Sequence, residues 1–138
     1  MMRPARGTLT AMDVVQATQL LERYMQAANT QDFDTLDGLF ADDVSVEWPQ
    51  SGERYVGKDQ CLNIFRNYPG GSPRYLGTSR VSGEGSVWVG EAEMMYPGEK
   101  KYLVVSIVEV RDGRIVKEID YFTEPFPVPE WRKDGLTG

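Results

Sequence analysis

The sequence contains no histidine at all. That removes Ser-His-Asp and Cys-His nucleophile arrangements and the usual His-based zinc sites, so any acid–base chemistry must fall to carboxylates, tyrosine or lysine. Cysteine occurs once, at Cys61; a lone thiol forms no internal disulfide and fits a reducing cytoplasm. No apolar run approaches the ~18 residues that a membrane-crossing helix needs. Positive charge is scarce: 15 Lys and Arg against 21 Asp and Glu leave a net charge of −6. Neither nucleic acid nor an anionic membrane surface attracts such a chain, so neither is expected as a partner. The basic stretch Met1–Gly7 has no apolar segment behind it, and residues 1–11 read as a flexible arm rather than a secretory leader.

What is there is an ordinary globular composition, 41% hydrophobic and 26% charged over 138 residues, enough for one domain with a core. Thr10 and Asp13 read as a capping-box variant that opens a helix. Val14, Ala17, Leu21, Tyr24, Met25 and Ala28 then recur at helical spacing, and Asn29-Thr30-Gln31 ends the pattern. A short second helix starts at Asp32 as its cap, carries Phe33, Leu36, Leu39 and Phe40 on one side, and is closed by Asp42-Asp43. Val44 to Trp48 is a strand stopped by Pro49, and residues 50–56 are a loop or short strand. Gly57 to Tyr68 is a third helix with Cys61, Leu62, Ile64, Phe65 and Tyr68 inward, broken by Pro69 to Pro73.

Everything after that break is strand and turn. Arg74–Ser82 and Ser86–Tyr96 flank Gly83-Glu84-Gly85, and Pro97-Gly98-Glu99 leads into a hairpin. The hairpin has two β-branched runs around Asp112-Gly113, a strong two-residue turn signal. Strict alternation in its second run sets Ile115, Lys117, Ile119 and Tyr121 on one face and Val116, Glu118, Asp120 and Phe122 on the other. Two carboxylates thus stand among apolar neighbours. Residues 125–138 form a tail with proline at 125, 127 and 129, expected to be extended. Helices first and antiparallel strands afterwards give an α+β domain over residues 12–124, with a curved sheet wrapped over a helical layer.

Glu22 to Asp34, Leu39 to Pro49, Gly57 and Asp112 to Phe122 carry a resemblance to the nuclear transport factor 2-like superfamily. Within it, the chain is most similar to the SnoaL-like polyketide cyclases and the ketosteroid isomerases. The resemblance implies a conical fold: three N-terminal helices packed on a strongly curved, mixed, mostly antiparallel sheet that encloses a pocket. Tyr24 matches the isomerases' first-helix tyrosine, which donates to the substrate oxygen. Trp48 stands where their general-base aspartate lies, and Ser106 falls near their protonated second aspartate, so 3-ketosteroid isomerisation is not expected. The SnoaL-like cyclases use a late-strand aspartate as acid–base, and Asp120 is the match. The Arg-x-Asp pair of the limonene epoxide hydrolases has no counterpart here.

These matches imply catalytic roles for Asp120 and Tyr24, and a substrate pocket lined by Trp48, Phe65, Trp88, Gly90, Ala92, Met94, Ser106, Glu118 and Phe122. Gly90 and Ala92 are small and would leave room for a ligand. An apolar, aromatic wall suits a flat hydrophobic molecule. A carboxylate buried in it would have a raised pKa, suited to acid–base work near neutrality. The expected activity is isomerisation or cyclisation of a carbonyl-bearing, polyketide- or terpenoid-like molecule, with no cofactor and no metal. The alternative is a pocket that binds without turnover. Leu103, Val105, Ile107, Ile119 and Tyr121 make the sheet's other face apolar as well, and related folds dimerise there, so a symmetric homodimer is expected.

Overall fold

The computed structural model describes residues 11–71 and 73–138, so the proposed N-terminal arm (but for Ala11) and Thr10 lie outside the described residues. The elements are α1 (Val14–Thr30), α2 (Phe33–Leu39), β1 (Phe40–Trp48), β2 (Glu53–Val56), α3 (Lys58–Arg66), β3 (Arg74–Glu84), β4 (Val87–Tyr96), β5 (Lys100–Arg111) and β6 (Arg114–Thr123). The strands form one curved, unclosed six-stranded sheet in the order β2-β1-β6-β5-β4-β3. Among the described residues only the β1–β6 pairing is parallel. That pairing brings the strand after the helices beside the last strand of the chain. The helices cover one face of the sheet, and the core between them includes Leu20, Leu21, Leu36, Phe40, Leu62 and Ile115. The expected α+β cone is the observed architecture.

The capping box of α1 lies three residues later than the expected Thr10 and Asp13, with Asp13 as the cap. Asp13 Oδ1 accepts from the Gln16 N–H at 2.8 Å, and Gln16 Oε1 accepts from the Asp13 N–H at 3.0 Å. With the helix starting at Val14, that residue is exposed and Leu20 takes an inward position. Asp32 caps α2 through the Thr35 N–H at 3.1 Å.

Asp42 and Asp43 do not close a helix. The strand begins at Phe40, because Phe40 pairs with Ile115 across the parallel register. Both acids are therefore exposed strand residues, held by Lys58 at 3.1 Å and Arg111 at 2.6 Å.

The hairpin turn is as its residues require. Asp112 and Gly113 have φ of 52° and 74°, the left-handed pair of a type I′ turn. A bulge follows, because Val110 pairs with Ile115 but Glu109 pairs with Lys117, leaving Val116 as the extra residue. Ile115 is consequently fully buried on the same side as Glu118 and Asp120, while Val116 is only half-buried. Strict alternation had placed these two the other way round. The tail also departs from expectation: beyond Pro129 the chain coils into a 3-10 turn, Glu130–Gly135, and leaves Phe126 and Trp131 exposed. No described helix is long and apolar enough to cross a membrane.

Candidate functional site

A cavity of about 450 Å³ opens between the helices and the sheet. Tyr24 of α1, Phe65 of α3, Trp48 of β1, Tyr75 of β3, Met94 of β4 and Phe122 of β6 all contribute to its wall. Eight of its lining side chains are aromatic, so its surface is mostly ring carbon with a few polar groups to orient a ligand. Tyr24 is fixed by edge-on contacts with the rings of Phe40, Phe65 and Tyr75 at 5.7, 6.2 and 6.2 Å.

The polar centre is the carboxyl pair on β6. Glu118 and Asp120 are two residues apart on one face, and only 3% and 4% exposed. Asp120 accepts two hydrogen bonds, from Trp48 Nε1 to Oδ2 at 2.9 Å and from Ser106 Oγ to Oδ1 at 2.6 Å. Trp48 and Ser106 are the positions at which the resemblance found an isomerase carboxyl replaced. Both replacements aim a donor at a carboxylate carried on the strand between them.

Glu118 is treated differently. Its Oε2 accepts from the Tyr24 hydroxyl at 3.1 Å, and its Oε1 is buried with no hydrogen-bond partner. Burial first, and then the negative charge of Asp120, push the Glu118 carboxyl well above the usual carboxylate range. The setting favours the neutral acid over the carboxylate. Burial likewise raises the Tyr24 and Tyr75 hydroxyls, reinforced by the two acids, so both stay protonated donors. The Cys61 thiol, also on the wall, is pushed up to about 11 by burial and then by Glu118, which makes it a poor nucleophile.

Of the residues singled out from sequence, Tyr24, Trp48, Phe65, Met94, Glu118, Asp120 and Phe122 line this cavity. Trp88 does not: it is a core residue whose indole donates to the Gly85 carbonyl at 3.0 Å. Gly90 and Ala92 make no room in the main cavity either. A Cβ on Gly90 would sit 3.0 Å from Leu21 Cδ1, so its space is taken by α1. Ser106 reaches the main site only through Asp120. The Arg66 guanidinium, at the end of α3, lies over the Phe33 ring at 5.0 Å.

Sequence reasoning missed Tyr75, Tyr102 and Gln50 on the wall. It also missed two amide clamps. Asn29 accepts from the Tyr75 N–H at 2.7 Å and donates to the Tyr75 carbonyl at 2.9 Å. Gln50 does the same to Phe122, at 2.7 and 2.6 Å. Each amide completes the backbone bonding of a strand beside a wall aromatic. The only advance signal was a polar amide at the end of an element, which is too common to read. Among the described residues no three His, Cys, Asp or Glu side chains cluster as metal ligands would.

A cone of this kind, with a six-stranded open sheet and a buried acidic site, defines a nuclear transport factor 2-like protein. The chain belongs more narrowly to the SnoaL-like domain family, whose model matches residues 21–118. It is similar to an NTF2-like protein of unknown function from Burkholderia xenovorans, at 33% identity and a TM-score of 0.80 over 90% of this chain and 95% of that one. It is also similar to a putative ketosteroid isomerase from Kribbella flavida, at 25% identity and a TM-score of 0.78 over 91% of each chain. An LEH-like epoxide hydrolase of M. tuberculosis matches at 26% identity and a TM-score of 0.68 over 79% of this chain and 84% of that one. Among curated proteins no match was found.

Proposed function

We propose that this chain is a cofactor-independent isomerase or cyclase acting on a hydrophobic, carbonyl-bearing small molecule of polyketide or terpenoid type. One observation carries the reading: two buried carboxyl side chains, two residues apart on the wall of an aromatic cavity, have different partners. Asp120, set among two donors, takes the proton from carbon. Tyr24 turns its hydroxyl onto the developing oxyanion, with neutral Glu118 behind it as the proton source. Two neighbouring acids with different hydrogen-bond partners are what proton transfer at two substrate positions requires. The isomerase- and epoxide-hydrolase-like relatives support small-molecule chemistry in this cavity. The reading includes a symmetric homodimer through the apolar outer sheet face, and a reducing cytoplasm for the free Cys61.

The test is deuterium uptake alpha to the carbonyl of 2-decalone in heavy water, followed by NMR. Wild type should accelerate it, and Asp120→Asn should lose about 10²–10⁴ of that acceleration. Equal rates in the two proteins remove Asp120 from the mechanism. The second reading, a binder without turnover, is favoured by the fact that both Asp120 oxygens already accept a hydrogen bond. Saturable binding with no exchange by wild type would establish it.

A further inference from the structure

Behind the main cavity lies a second void of about 20 Å³, walled by Leu21 and Met25 of α1, Ala92 of β4, Ser106 of β5 and Glu118 of β6, among others. One water molecule needs roughly 10–15 Å³ of such space and at least two polar partners. Ser106 and Glu118 supply them. The β5–β6 register pairs Ser106 with Asp120 and Val108 with Glu118, so Ser106 and Glu118 are diagonal neighbours on one face. Glu118 Oε1 is buried and unmet. A carboxyl oxygen in that condition has lost its hydration with nothing in exchange, which native interiors seldom leave uncorrected.

We propose that the small void is a built site for one water molecule that joins Glu118 Oε1 to Ser106 Oγ. That water completes a hydrogen-bonded path between the two carboxyl groups. The sense of donation is consistent throughout. The neutral Glu118 O–H donates to the water, the water donates to Ser106 Oγ, and Ser106 Oγ donates to Asp120 Oδ1 at 2.6 Å.

Only the use of the path rests on the acid–base reading above. After a turnover in which Asp120 has gained a proton and Glu118 has supplied one, the path runs backwards. The Asp120 O–H bond breaks as a new one forms on Ser106. Ser106 passes its own proton to the water, and the water passes one of its protons to Glu118. Three O–H bonds break and three form, no charge is created, and both acids return to their starting states. Ser106 is thus a positioning and relay residue, not one that touches substrate.

The experiment is a crystal structure of the unliganded wild-type chain at a resolution that shows ordered water, together with infrared spectra of the carboxylic-acid carbonyl band. A single water peak is expected within hydrogen-bond reach of both Glu118 Oε1 and Ser106 Oγ. The band should vanish in Glu118→Gln. It should move to higher frequency in Ala92→Val, where added methyl groups fill the void and strip Glu118 of its partner. A dry void in the wild-type crystal, Glu118 Oε1 bonded directly to Asp120, or an unmoved band in Ala92→Val overturns the proposal. If Ala92→Val does not fold, the wild-type crystal decides alone. None of these readouts needs a substrate, so failure of 2-decalone to exchange would count against the enzyme reading and leave the water site standing.

Discussion

A carboxyl group walled off from water must find partners for its charge or give the charge up. Asp120 accepts from Trp48 and Ser106; Glu118 has one hydroxyl and one unmet oxygen, a setting that raises its pKa. Stability should record this. In the unfolded chain Glu118 ionises near 4.5, whereas in the fold its pKa lies well above that. Below the unfolded value both states hold the proton and Glu118 adds no pH dependence. As pH rises past it the unfolded state alone releases the proton, and stability falls until the folded pKa is reached, by up to about 1.4 kcal/mol per pH unit. Urea unfolding of wild type and Glu118→Gln across that window should show the extra slope in wild type only; parallel curves would mean that Glu118 is ionised in the fold. Cys61 offers a second check. Its thiol, pushed up to about 11 and buried, should resist iodoacetamide at pH 8 in the native protein and react readily in urea. Fast native labelling would show the cavity wall to be open at α3.

At the scale of elements, the hairpin was legible because Asp112-Gly113 specifies a turn that few other pairs make. From it alternation correctly set Glu118, Asp120 and Phe122 on the cavity side. Val116 was misplaced because a bulge is a property of two strands in register, and no single strand announces it. Trp88, Gly90 and Ala92 failed for a related reason. Their face of β4 does point at the helical layer, but α1 lies against that part of the sheet, and only the packing of Leu21 reveals it. In the same way, shifts in the β3–β4 register around Tyr75 and Gly77 hid Tyr75 from a period-two reading. The tight end of that hairpin gives a prediction. A Cβ on Gly83, where φ is 148°, would stand 2.5 Å from the Val87 carbonyl oxygen and 2.9 Å from Trp88 Cα. Backbone cannot yield as a side chain can, so Gly83→Ala should destabilise by about 1–3 kcal/mol or more in urea. Asn29→Leu, which strips two backbone hydrogen bonds from Tyr75, should cost about 1–3 kcal/mol. It should also weaken ligand binding, because Tyr75 is cavity wall.

At the scale of the whole molecule, the sheet has two apolar faces and the helices cover one. On the other, Leu103 and Tyr121 are 43% and 38% exposed. The register sets Val105 against Tyr121 and Ile107 against Ile119 between them. Around this strip run ion pairs, Lys101 with Glu93 at 3.0 Å and Lys117 with Glu47 at 3.8 Å. An apolar centre with a charged rim fits the homodimer contact proposed above. A two-fold axis through the strip would bring the same residues together from both copies. Light scattering on the purified protein should therefore return twice the 15.6 kDa chain mass. Ile119→Glu, which buries a charge at the centre of that contact, should halve it. The substitution points away from the cavity, so 2-decalone should still bind to the resulting monomer if the site is complete within one chain. A wild-type mass of one chain at micromolar concentration would leave the outer face without the partner assigned to it.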